Sequence, residues 1–520
     1  MALWGLVKLR INESARPIAM IDFVGRAEML QKDIVERRFT MKNRERSKRV
    51  FLAALGICLA LAVPGCGTKD DGGTDGDSVV QGEENNQGEQ DNQGSSDSQG
   101  ESDAQGKSES SDTASSTGDD GNAGSGAESQ EESLTQEELY WKEVLAEFSD
   151  SDYDLTAALT EPALKDLCSN YFTLGVGING STIENQTLNM PEYMAVAKKH
   201  FNSCTMTNLM KSAYILDQQG SQKSAKEGDG SPVLSYECID PTLEWCQENG
   251  MRMRGHTLVW HVQAPDWFFR QGYDDKGEYV DRDTMLSRME SYIMQLMTHV
   301  QDNYPGVVYC WDVVNEAVDP DKGDKDSPFL CRTENEGTPN PWYATIGEDY
   351  VEMAFTYARK YAAQDVKLFY NDFNTFQTAK RDAIYTLCQS LKEKGLIDGI
   401  GMQGYWDVVY PNDSTLKTAI LKFAELELEI HITELSVGVE EEDEESFAKQ
   451  GNRYGAIFML LHDLDKEGGG SANITNVTLF GLIDHYREGD TTNSRLFDSA
   501  YQPKPAFTRV RNMLKTIYNR

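Results

Sequence analysis

Basic residues are scarce in this 520-residue sequence, in which 49 lysines and arginines stand against 85 aspartates and glutamates. The formal net charge is therefore −36 at pH 7. Because binding to nucleic-acid phosphates needs a clustered positive face, this balance argues against a nucleic-acid partner. A large net charge suits an extracellular protein that stays soluble by self-repulsion, although it says nothing about fold. At this length, at least two regions of different character are expected.

Motifs that would carry a metal or a cofactor are also missing. The nine cysteines form no CxxC pair and no cluster spaced with histidines, so no zinc site is predicted. No phosphate-binding loop, no dinucleotide fingerprint after a strand and no GxSxG elbow occurs. We therefore expect neither a metal nor a cofactor. Buried free thiols are the default for the cysteines of the globular part, and one surface disulfide is left open. These cysteines are Cys168, Cys204, Cys238, Cys246, Cys310, Cys331 and Cys388.

The N-terminal part of the chain divides into three segments, none of which predicts a folded domain. Residues 1–40 show no clear pattern and are interpreted as an over-extended start. Residues 41–66 have the order of an export signal, with basic residues followed by an apolar run too short to span a bilayer as a mature helix. Residues 67–135 are acidic, rich in glycine and serine, and nearly free of apolar residues, so we expect a disordered linker.

The export signal ends in Val63-Pro64-Gly65-Cys66, which resembles a bacterial lipobox with lipidation at Cys66. Pro64 stands where a lipobox usually has a small or hydroxyl residue, and an ordinary secretory signal with an incidental cysteine is the alternative. Either interpretation predicts an extracellular protein, lipid-anchored at the bacterial cell surface or secreted. The membrane would be contacted only through the lipid.

Residues 136–520 alternate short apolar runs with longer amphipathic stretches. Amphipathic helices are predicted over residues 285–301, 348–363 and 383–394, among others. Eight strands alternating with helices predict an α/β fold, a (β/α)8 TIM barrel, whose active site lies at the C-terminal ends of the strands. The apolar runs interpreted as strands are residues 172–175, 203–205, 253–260, 307–311, 367–370, 399–402, 427–433 and 478–482.

Two of these apolar runs are followed by a glutamate, Glu316 and Glu434. A carboxylate at the end of a buried strand is costly unless it has a partner or a task, and the alternative is a capping acid or a strand-end salt bridge. Tryptophans lie near the same ends, and sugars offer hydroxyls to polar groups and CH faces to aromatic rings. Sugar chemistry is therefore the predicted class. The other polar residues at strand ends are Asn208, Lys211, His256, His261, Asn315, Asn371, Asp372 and Gln403.

Motifs in the same order over most of residues 140–520 resemble those of glycoside hydrolase family 10, the retaining endo-β-1,4-xylanases. The third-strand motif is Arg254-Gly255-His256-Thr257-Leu258-Val259-Trp260-His261. The acid/base motif is Trp311-Asp312-Val313-Val314-Asn315-Glu316-Ala317, and the nucleophile motif is Ile432-Thr433-Glu434. Further matches are Phe201-Asn202, Met210-Lys211, Asn371-Asp372, Gly399-Ile400-Gly401-Met402-Gln403 and Pro503-Lys504-Pro505-Ala506.

By position, the resemblance implies that Glu316 is the general acid/base and Glu434 the nucleophile of a double displacement. Asn315 would contact a sugar 2-hydroxyl. The resemblance also implies xylan as the substrate and partner, and we expect a monomer. The remaining residues expected to bind the sugars are Asn208, Lys211, His256, Trp260, Gln403 and Tyr405.

Several positions depart from the family pattern. Tyr405 stands where the family usually has histidine, and Ser436 where it usually has the aspartate that orients this histidine. A tyrosine hydroxyl donates a hydrogen bond without a tautomer to be fixed, so we hypothesise that Tyr405 keeps Glu434 ionised. Thr207 replaces a sugar-binding glutamate and Phe480 a tryptophan, and a second tryptophan is absent nearby. These changes alter the walls of the sugar sites and leave the catalytic pair intact.

Three functions are compatible with these residues. They are an endo-β-1,4-xylanase, the same barrel acting on another β-linked glycan, and a non-hydrolytic sugar-binding surface lipoprotein. A pure binder would gain nothing from two close, repelling carboxylates, which argues against the third.

A few other residues have a structural interpretation beside the functional one. His261, Trp267 and Trp342 are candidates for either the site or the core. His431, three residues before Glu434, is expected on the opposite face of the strand and is interpreted as a packing residue. The acidic run 440–445 is interpreted as a solvated loop or a helix start.

Overall fold

The computed structural model describes residues 134–178, 180, 182–485 and 493–518. The predicted start (1–40), the export signal with Cys66 (41–66) and nearly all of the linker (67–135) lie outside these ranges. Within the described ranges, no helix combines the length and the apolar character that crossing a membrane requires.

Eight parallel strands form a closed barrel. Each strand pairs with the next along the chain, and the first also pairs with the last. The predicted (β/α)8 barrel is therefore confirmed. The strands are β1 Thr173–Ile178, β2 Ser203–Met206, β3 Arg252–Trp260, β4 Val308–Asn315, β5 Lys367–Asp372, β6 Gly399–Met402, β7 Glu429–Gly438 and β8 Asn473–Leu479.

Helices follow the strands and cover the outside of the barrel. The loops contain three additional short strand pairings. Tyr405–Asp407 pairs in parallel with β7. Leu216–Asp217 pairs antiparallel with Val233–Leu234, and Glu334–Asn335 pairs antiparallel with Thr338–Pro339. Short 3₁₀ turns span Thr187–Asn189, Asp266–Phe269, Gln271–Tyr273 and Lys466–Gly468. The α-helices of the described residues are α1 Gln136–Glu147, α2 Thr156–Thr160, α3 Leu164–Leu167, α4 Pro191–His200, α5 Ser212–Ile215, α6 Gln218–Glu227, α7 Asp240–Asn249, α8 Arg282–Asn303, α9 Pro341–Ile346, α10 Tyr350–Tyr361, α11 Thr378–Glu393, α12 Asp413–Ala424, α13 Glu444–Leu464 and α14 Pro505–Tyr518.

Side-chain caps explain where several helices begin. Thr135 accepts a hydrogen bond from the backbone of Glu138 and completes a capping box at the start of α1. Asp443 caps α13 by accepting a hydrogen bond from the N–H of Ser446, so the acidic run 440–445 is a loop that leads into the first two residues of this helix. Negative side chains are also favoured here because they face the positive end of the helix dipole.

The eighth strand differs most from its prediction, because β8 starts five residues before the predicted run. Its first half is polar, but Asn476 donates hydrogen bonds to the hydroxyl and carbonyl of Thr173, and Thr475 donates to Glu429. These bonds satisfy polar groups that hydrophobic periodicity assigns to a loop. The fourth strand likewise continues past its predicted end to Asn315.

A buried ionic cluster crosses the barrel interior below the mouth. Arg254 of β3 donates two hydrogen bonds to Asp312 of β4, with Nη2–Oδ1 at 2.6 Å and Nη1–Oδ2 at 3.1 Å. Both side chains are fully buried. Burial alone would raise the pKa of Asp312, but the charge of Arg254 and a hydrogen bond from His256 lower it. The pair therefore stays ionised in the core.

His431 belongs to this cluster, and its predicted orientation is wrong. Its Nδ1 accepts a hydrogen bond from Arg254 Nε at 3.1 Å, and its ring stacks on Phe369 inside the barrel. The register of β7 against β8 shifts between Ile432 and Leu435, which turns both His431 and Glu434 to the barrel axis. Its role as a packing residue agrees with its nearly complete burial.

The cysteines of the barrel are all free and buried, as expected, and none of the seven lies at the surface. Cys204 of β2 and Cys246 of α7 approach closest, with their sulfurs 3.5 Å apart.

Replacing Asp312 with asparagine is expected to destabilise the fold strongly. Asp312→Asn keeps the shape and leaves the Arg254 charge buried without a counter-charge, which costs about 3–5 kcal/mol of unfolding free energy. Asp349→Asn is the matched control, since Asp349 pairs with Arg282 at the surface, where both side chains are 44% exposed. The control is expected to cost about 1 kcal/mol or less. Urea denaturation of both variants measures the difference, and equal costs would contradict the buried ion pair.

Candidate active site

The two glutamates predicted from the strand ends both lie at the C-terminal mouth of the barrel. Glu316 directly follows β4, and Glu434 lies within β7. Glu434 is 6% exposed, and Glu316 is half-buried. Parallel strands in a closed barrel bring their C-terminal ends to one rim, so residues far apart in the chain share one site.

A chain of hydrogen bonds joins the two carboxyl groups. Asn315 Nδ2 donates to Glu316 Oε1 at 2.9 Å. Asn371 Nδ2 donates both to Asn315 Oδ1 at 2.8 Å and to Glu434 Oε1 at 3.1 Å. Gln403 Nε2 adds a bond of 2.9 Å to Glu316 Oε1. The predicted residues Asn315 and Gln403 therefore contact the acid directly, and Asn371 ties the two carboxyls together.

The backbone of Glu316 adopts an unusual conformation that its neighbours hold in place. Its φ is +59°, in the left-handed region, which costs a non-glycine residue about 1–2 kcal/mol. Its N–H donates to the carbonyl of Asn371 at 2.9 Å, and its own carbonyl accepts from Arg332 Nε at 3.0 Å. Arg332 in turn pairs with Asp319. Arg332 is a positioning residue that sequence reasoning missed, because it lies in a loop without a strand pattern.

The surroundings of Glu316 favour its protonated form. Burial raises the pKa of Glu316, and the negative charges of Asp372 and Glu434 raise it further. The hydrogen bond from Gln403 and the charge of Lys380 oppose this shift. Lys380 itself forms a buried ion pair with Asp372 at 2.8 Å. A carboxyl group with a raised pKa can hold a proton and release it to a bound substrate.

Trp260 and Lys211 form one wall beside Glu316. Trp260 Nε1 donates to Glu316 Oε2 at 3.0 Å, and Lys211 Nζ lies 4.6 Å from the centre of the Trp260 ring. Burial lowers the pKa of Lys211 to about 8, against the opposing charges of Glu434 and Glu316. Trp342 is fully buried and donates to the carbonyl of Trp260 at 3.0 Å, so it is a core ring that supports this wall.

Gln263 connects the predicted residues Lys211 and Asn208. Its Oε1 accepts a hydrogen bond from Lys211 Nζ at 2.7 Å, and its Nε2 donates to Asn208 Oδ1 at 3.3 Å. Asn208 also donates to the carbonyl of Gly180 at 3.3 Å. The sequence offers little sign of Gln263, because it follows β3 in a loop and reaches the site through a backbone with φ of +52°.

The two histidines of the third-strand motif have different environments. His256 is buried, and its Nδ1 lies 2.9 Å from Asp312 Oδ2, which fixes its ring beneath the mouth. His261 Nδ1 is buried and has no hydrogen-bond partner among the described residues. Burial, together with the charges of Arg332 and Lys380, lowers the pKa of His261 to about 3. His261 is therefore a neutral ring at neutral pH.

Tyr405 meets Glu434 as hypothesised from the sequence. Its hydroxyl donates to Glu434 Oε2 at 2.5 Å, while the residue as a whole is 51% exposed at the rim. Burial of the hydroxyl and the charge of Glu434 raise the pKa of Tyr405 well above its ordinary value. The ring packs edge-on against Phe480, with centroids 5.7 Å apart. Glu434 thus accepts hydrogen bonds from two neutral donors, Asn371 and Tyr405.

The other departures lie at the edges of the site. Ser436 Oγ accepts a hydrogen bond from Arg495 Nη1 at 2.8 Å. Thr207 Oγ1 is buried without a partner in the described part of the chain, so a polar group in this wall is left unused. No group of three or more metal-ligating side chains occurs among the described residues.

Comparisons with known proteins give one consistent family. The model of glycosyl hydrolase family 10 matches residues 163–513. A relative from Caldicellulosiruptor saccharolyticus is 46% identical over 309 residues, which is 57% of this chain and 95% of the relative. Endo-1,4-β-xylanase B of Butyrivibrio fibrisolvens is 40% identical over 322 residues, 62% of this chain and 47% of the relative.

Solved structures lead to the same family. The modules of a Clostridium thermocellum endo-1,4-β-D-xylanase complexed with xylohexaose share 33% identity, with a TM-score of 0.62, over 68% of this chain and 67% of that one. An intracellular xylanase of Thermoanaerobacterium saccharolyticum shares 30% identity, with a TM-score of 0.56, over 68% of this chain and 98% of that one. With the barrel and the family match over residues 163–513, these similarities show that the chain belongs to glycosyl hydrolase family 10 and is a glycoside hydrolase.

Proposed function

We propose that this glycoside hydrolase is a retaining endo-β-1,4-xylanase, with Glu316 as the general acid/base and Glu434 as the nucleophile. The observation that carries the proposal is the contrast between two carboxyl groups joined through Asn315 and Asn371. One has a raised pKa, and the other accepts hydrogen bonds from Asn371 and Tyr405. Relatives named endo-1,4-β-xylanases and solved structures with bound xylohexaose or xylotriose support xylan as the substrate.

In the first step, Glu434 attacks the anomeric carbon while Glu316 donates its proton to the glycosidic oxygen. The bond between that carbon and that oxygen breaks, and a covalent glycosyl-enzyme forms with Glu434. The raised pKa of Glu316 keeps the proton available. The hydrogen bonds to Glu434 hold its carboxylate in one orientation, so little reorganisation is needed.

In the second step, Glu316 acts as a base. It has lost its proton, and it removes one from a water molecule that attacks the anomeric carbon of the glycosyl-enzyme. Once Glu434 is esterified it no longer carries a charge that raises the pKa of Glu316, so the same group becomes more acidic when it must act as a base. Two inversions at one carbon give net retention.

The walls of the site suit a chain of neutral sugars. Lys211, Asn315 and Gln403 present donors near the carboxyls, and Trp260 presents a ring to sugar CH faces. His256 and Asn208 extend the polar lining below and beside them. All of these residues come from one chain, and we propose that the protein acts as a monomer.

Replacing either glutamate is expected to abolish the release of reducing sugar from xylan. Glu434→Ala removes the nucleophile, so an aryl β-xylobioside should lose activity by about four orders of magnitude or more. Glu316→Ala should retain formation of the glycosyl-enzyme from a substrate with a good leaving group, because no proton is then needed. A burst of released phenol followed by slow turnover would show this. NMR of the reaction of the parent protein should show that the first product has the β configuration.

Parallel assays on xylan and mixed-linkage β-glucan identify the substrate. Release from β-glucan alone would assign another β-linked glycan. Binding of xylan without release by the parent protein would contradict an enzyme of either specificity.

The alkaline limit of activity is expected to depend on Asp372. The charge of Asp372 raises the pKa of Glu316, and Lys380 lowers it. Asp372→Asn removes the first effect and leaves the second, so the alkaline limb of kcat/KM should move to lower pH by about half a unit or more. Asp398→Asn is the matched control, because Asp398 pairs with Arg359 and accepts from the N–H of Leu368 at the opposite end of β5. An equal shift in both variants would contradict the assignment of Glu316 as the acid.

We also propose that residues 41–66 export the protein and that Cys66 carries a lipid. The support is the order of basic residues, apolar run and Gly65-Cys66 in the sequence. The linker of residues 67–135 would then hold the barrel away from the membrane, where a polymer can reach its mouth. The protein would act at the cell surface.

Cys66→Ala tests this anchoring. In a bacterial host, the parent protein should partition into the detergent phase of a Triton X-114 extraction and incorporate labelled palmitate. Cys66→Ala should lose both properties, because one thiol carries the lipid. Cys58→Ala is the control, since it changes a cysteine inside the apolar run and should keep the label. An unlabelled parent protein found in the medium would support a simple secretory signal instead.

A further inference from the structure

Arg495 lies behind the candidate nucleophile and has no part in the proposed mechanism. It belongs to the segment between β8 and α14. Its Nη1 donates to Ser436 Oγ at 2.8 Å and to Ser494 Oγ at 2.5 Å. Ser436 is two residues beyond Glu434 on β7. A guanidinium group therefore reaches the strand that carries the nucleophile.

The backbone of Arg495 is held by another buried ion pair, between Asp484 and Lys504. Its N–H donates to Asp484 Oδ1 at 2.8 Å, and Asp484 Oδ2 accepts from Lys504 Nζ at 2.5 Å. The side chains of Asp484 and Lys504 are 4% and 5% exposed. Lys504 also donates to the carbonyl of Asn493 at 3.3 Å. The segment is thus fixed on both sides of Arg495.

The side chain of Arg495 fills a space that a glycine leaves open. A Cβ placed on Gly481 would lie 2.5 Å from Arg495 Nε, closer than two non-bonded heavy atoms can approach. The Nε atom is buried and has no hydrogen-bond partner among the described residues. The guanidinium is thus packed closely against Gly481.

Tyr405 links this arginine to Glu434. Tyr405 and Ser436 are register partners of the short parallel pairing, and the N–H of Ser436 donates to the carbonyl of Gly404 at 2.8 Å. The charge of Arg495 acts on the Tyr405 hydroxyl, lowering its pKa against the larger opposing effects of burial and Glu434. Arg495 therefore reaches the Tyr405–Glu434 hydrogen bond through Ser436, the register partner of Tyr405.

We propose that Arg495 is a positioning residue that supplies a fixed positive charge, through Ser436, behind the Tyr405–Glu434 hydrogen bond and thereby sets the acidic limit of activity. This inference rests on the proposed function, because it assumes that Glu434 is the nucleophile. A guanidinium is charged at every pH at which a protein is folded, so its field does not weaken as the pH falls. The arrangement keeps the nucleophile available at low pH.

The experiment must separate the effect of Arg495 from the effects of the other charged and titratable groups around Glu434. Lys211 lies on the side of β2, Glu316 on the side of β4, and Tyr405 follows β6. Asn371 of β5 donates a neutral hydrogen bond. Lys211 is also positive, with a pKa that burial lowers to about 8, so it stays fully charged over the acidic limb and contributes the same charge in every variant.

The test is the acidic limb of kcat/KM for an aryl β-xylobioside, measured on the full chain. Arg495→Gln keeps a donor for Ser436 and removes the charge, so the limb is expected to move to higher pH by about half a unit to one unit. Arg495→Lys keeps the charge and should restore most of the range. Arg511→Gln is the control, because Arg511 lies on α14 and pairs with Glu161, away from the nucleophile. It should leave the limb in place.

Combination with Tyr405→Phe shows whether the two residues act together. Tyr405→Phe alone should also raise the acidic limb, and the double variant should shift it by less than the sum of the two, since both act on one hydrogen-bonded pair. If Arg495→Gln does not fold, Ser436→Ala releases the guanidinium in a folded protein and should move the limb in the same direction. Thermal unfolding of each variant separates folding from tuning.

The outcomes distinguish this inference from the proposed function. A parent protein that hydrolyses no β-linked substrate overturns both. An active parent whose acidic limb does not respond to Arg495→Gln overturns the role of Arg495 alone. A shift of equal size in Arg495→Lys or in Arg511→Gln would also overturn it, because the cause would then not be the charge at this position.

Discussion

The site depends on holding two carboxyl groups at one barrel mouth although their charges repel. Asn371 makes this possible, because its amide donates to Glu434 and to Asn315, and Asn315 donates in turn to Glu316. Thr433 donates to the amide oxygen of Asn371 at 2.7 Å, so this amide has one orientation. Directional hydrogen bonds therefore fix the carboxylates where electrostatic repulsion would otherwise separate them.

The two carboxyl groups differ because their neighbours differ. Burial and the negative charge of Asp372 both favour a bound proton on Glu316. Glu434 receives hydrogen bonds from Asn371 and from the hydroxyl of Tyr405, which favour a carboxylate. The surroundings, and not the residue type, therefore distinguish the proposed acid from the proposed nucleophile. The positive φ of Glu316 shows that the fold accepts local strain to present this group.

The walls around the carboxyls show how a barrel can keep one chemistry while its details change. Tyr405 and Ser436 replace the residues expected from the family pattern, yet Glu434 still accepts a hydrogen bond on this side. Ser436 has acquired a different partner, Arg495. Trp342 donates to the carbonyl of Trp260 and Arg332 to the carbonyl of Glu316, so each supports a residue of the site through its backbone.

The sequence predicts the features that depend on local patterns, and it misses those that depend on contacts between distant parts of the chain. Apolar runs ending in Glu316 and Glu434 are local patterns, so the barrel, its catalytic rim and both glutamates could be inferred from the sequence. The polar start of β8 and the orientation of His431 could not, because cross-strand hydrogen bonds and a register shift in β7 decide them.

Arg332, Gln263 and Arg495 were equally hidden in the sequence. Each lies in a loop and reaches the site through contacts with residues distant along the chain. The sequence by itself determined which residues could do the chemistry, since residue type and strand position are local properties. Only the tertiary structure decided which loops support them, because that depends on where a closed barrel brings its loops together.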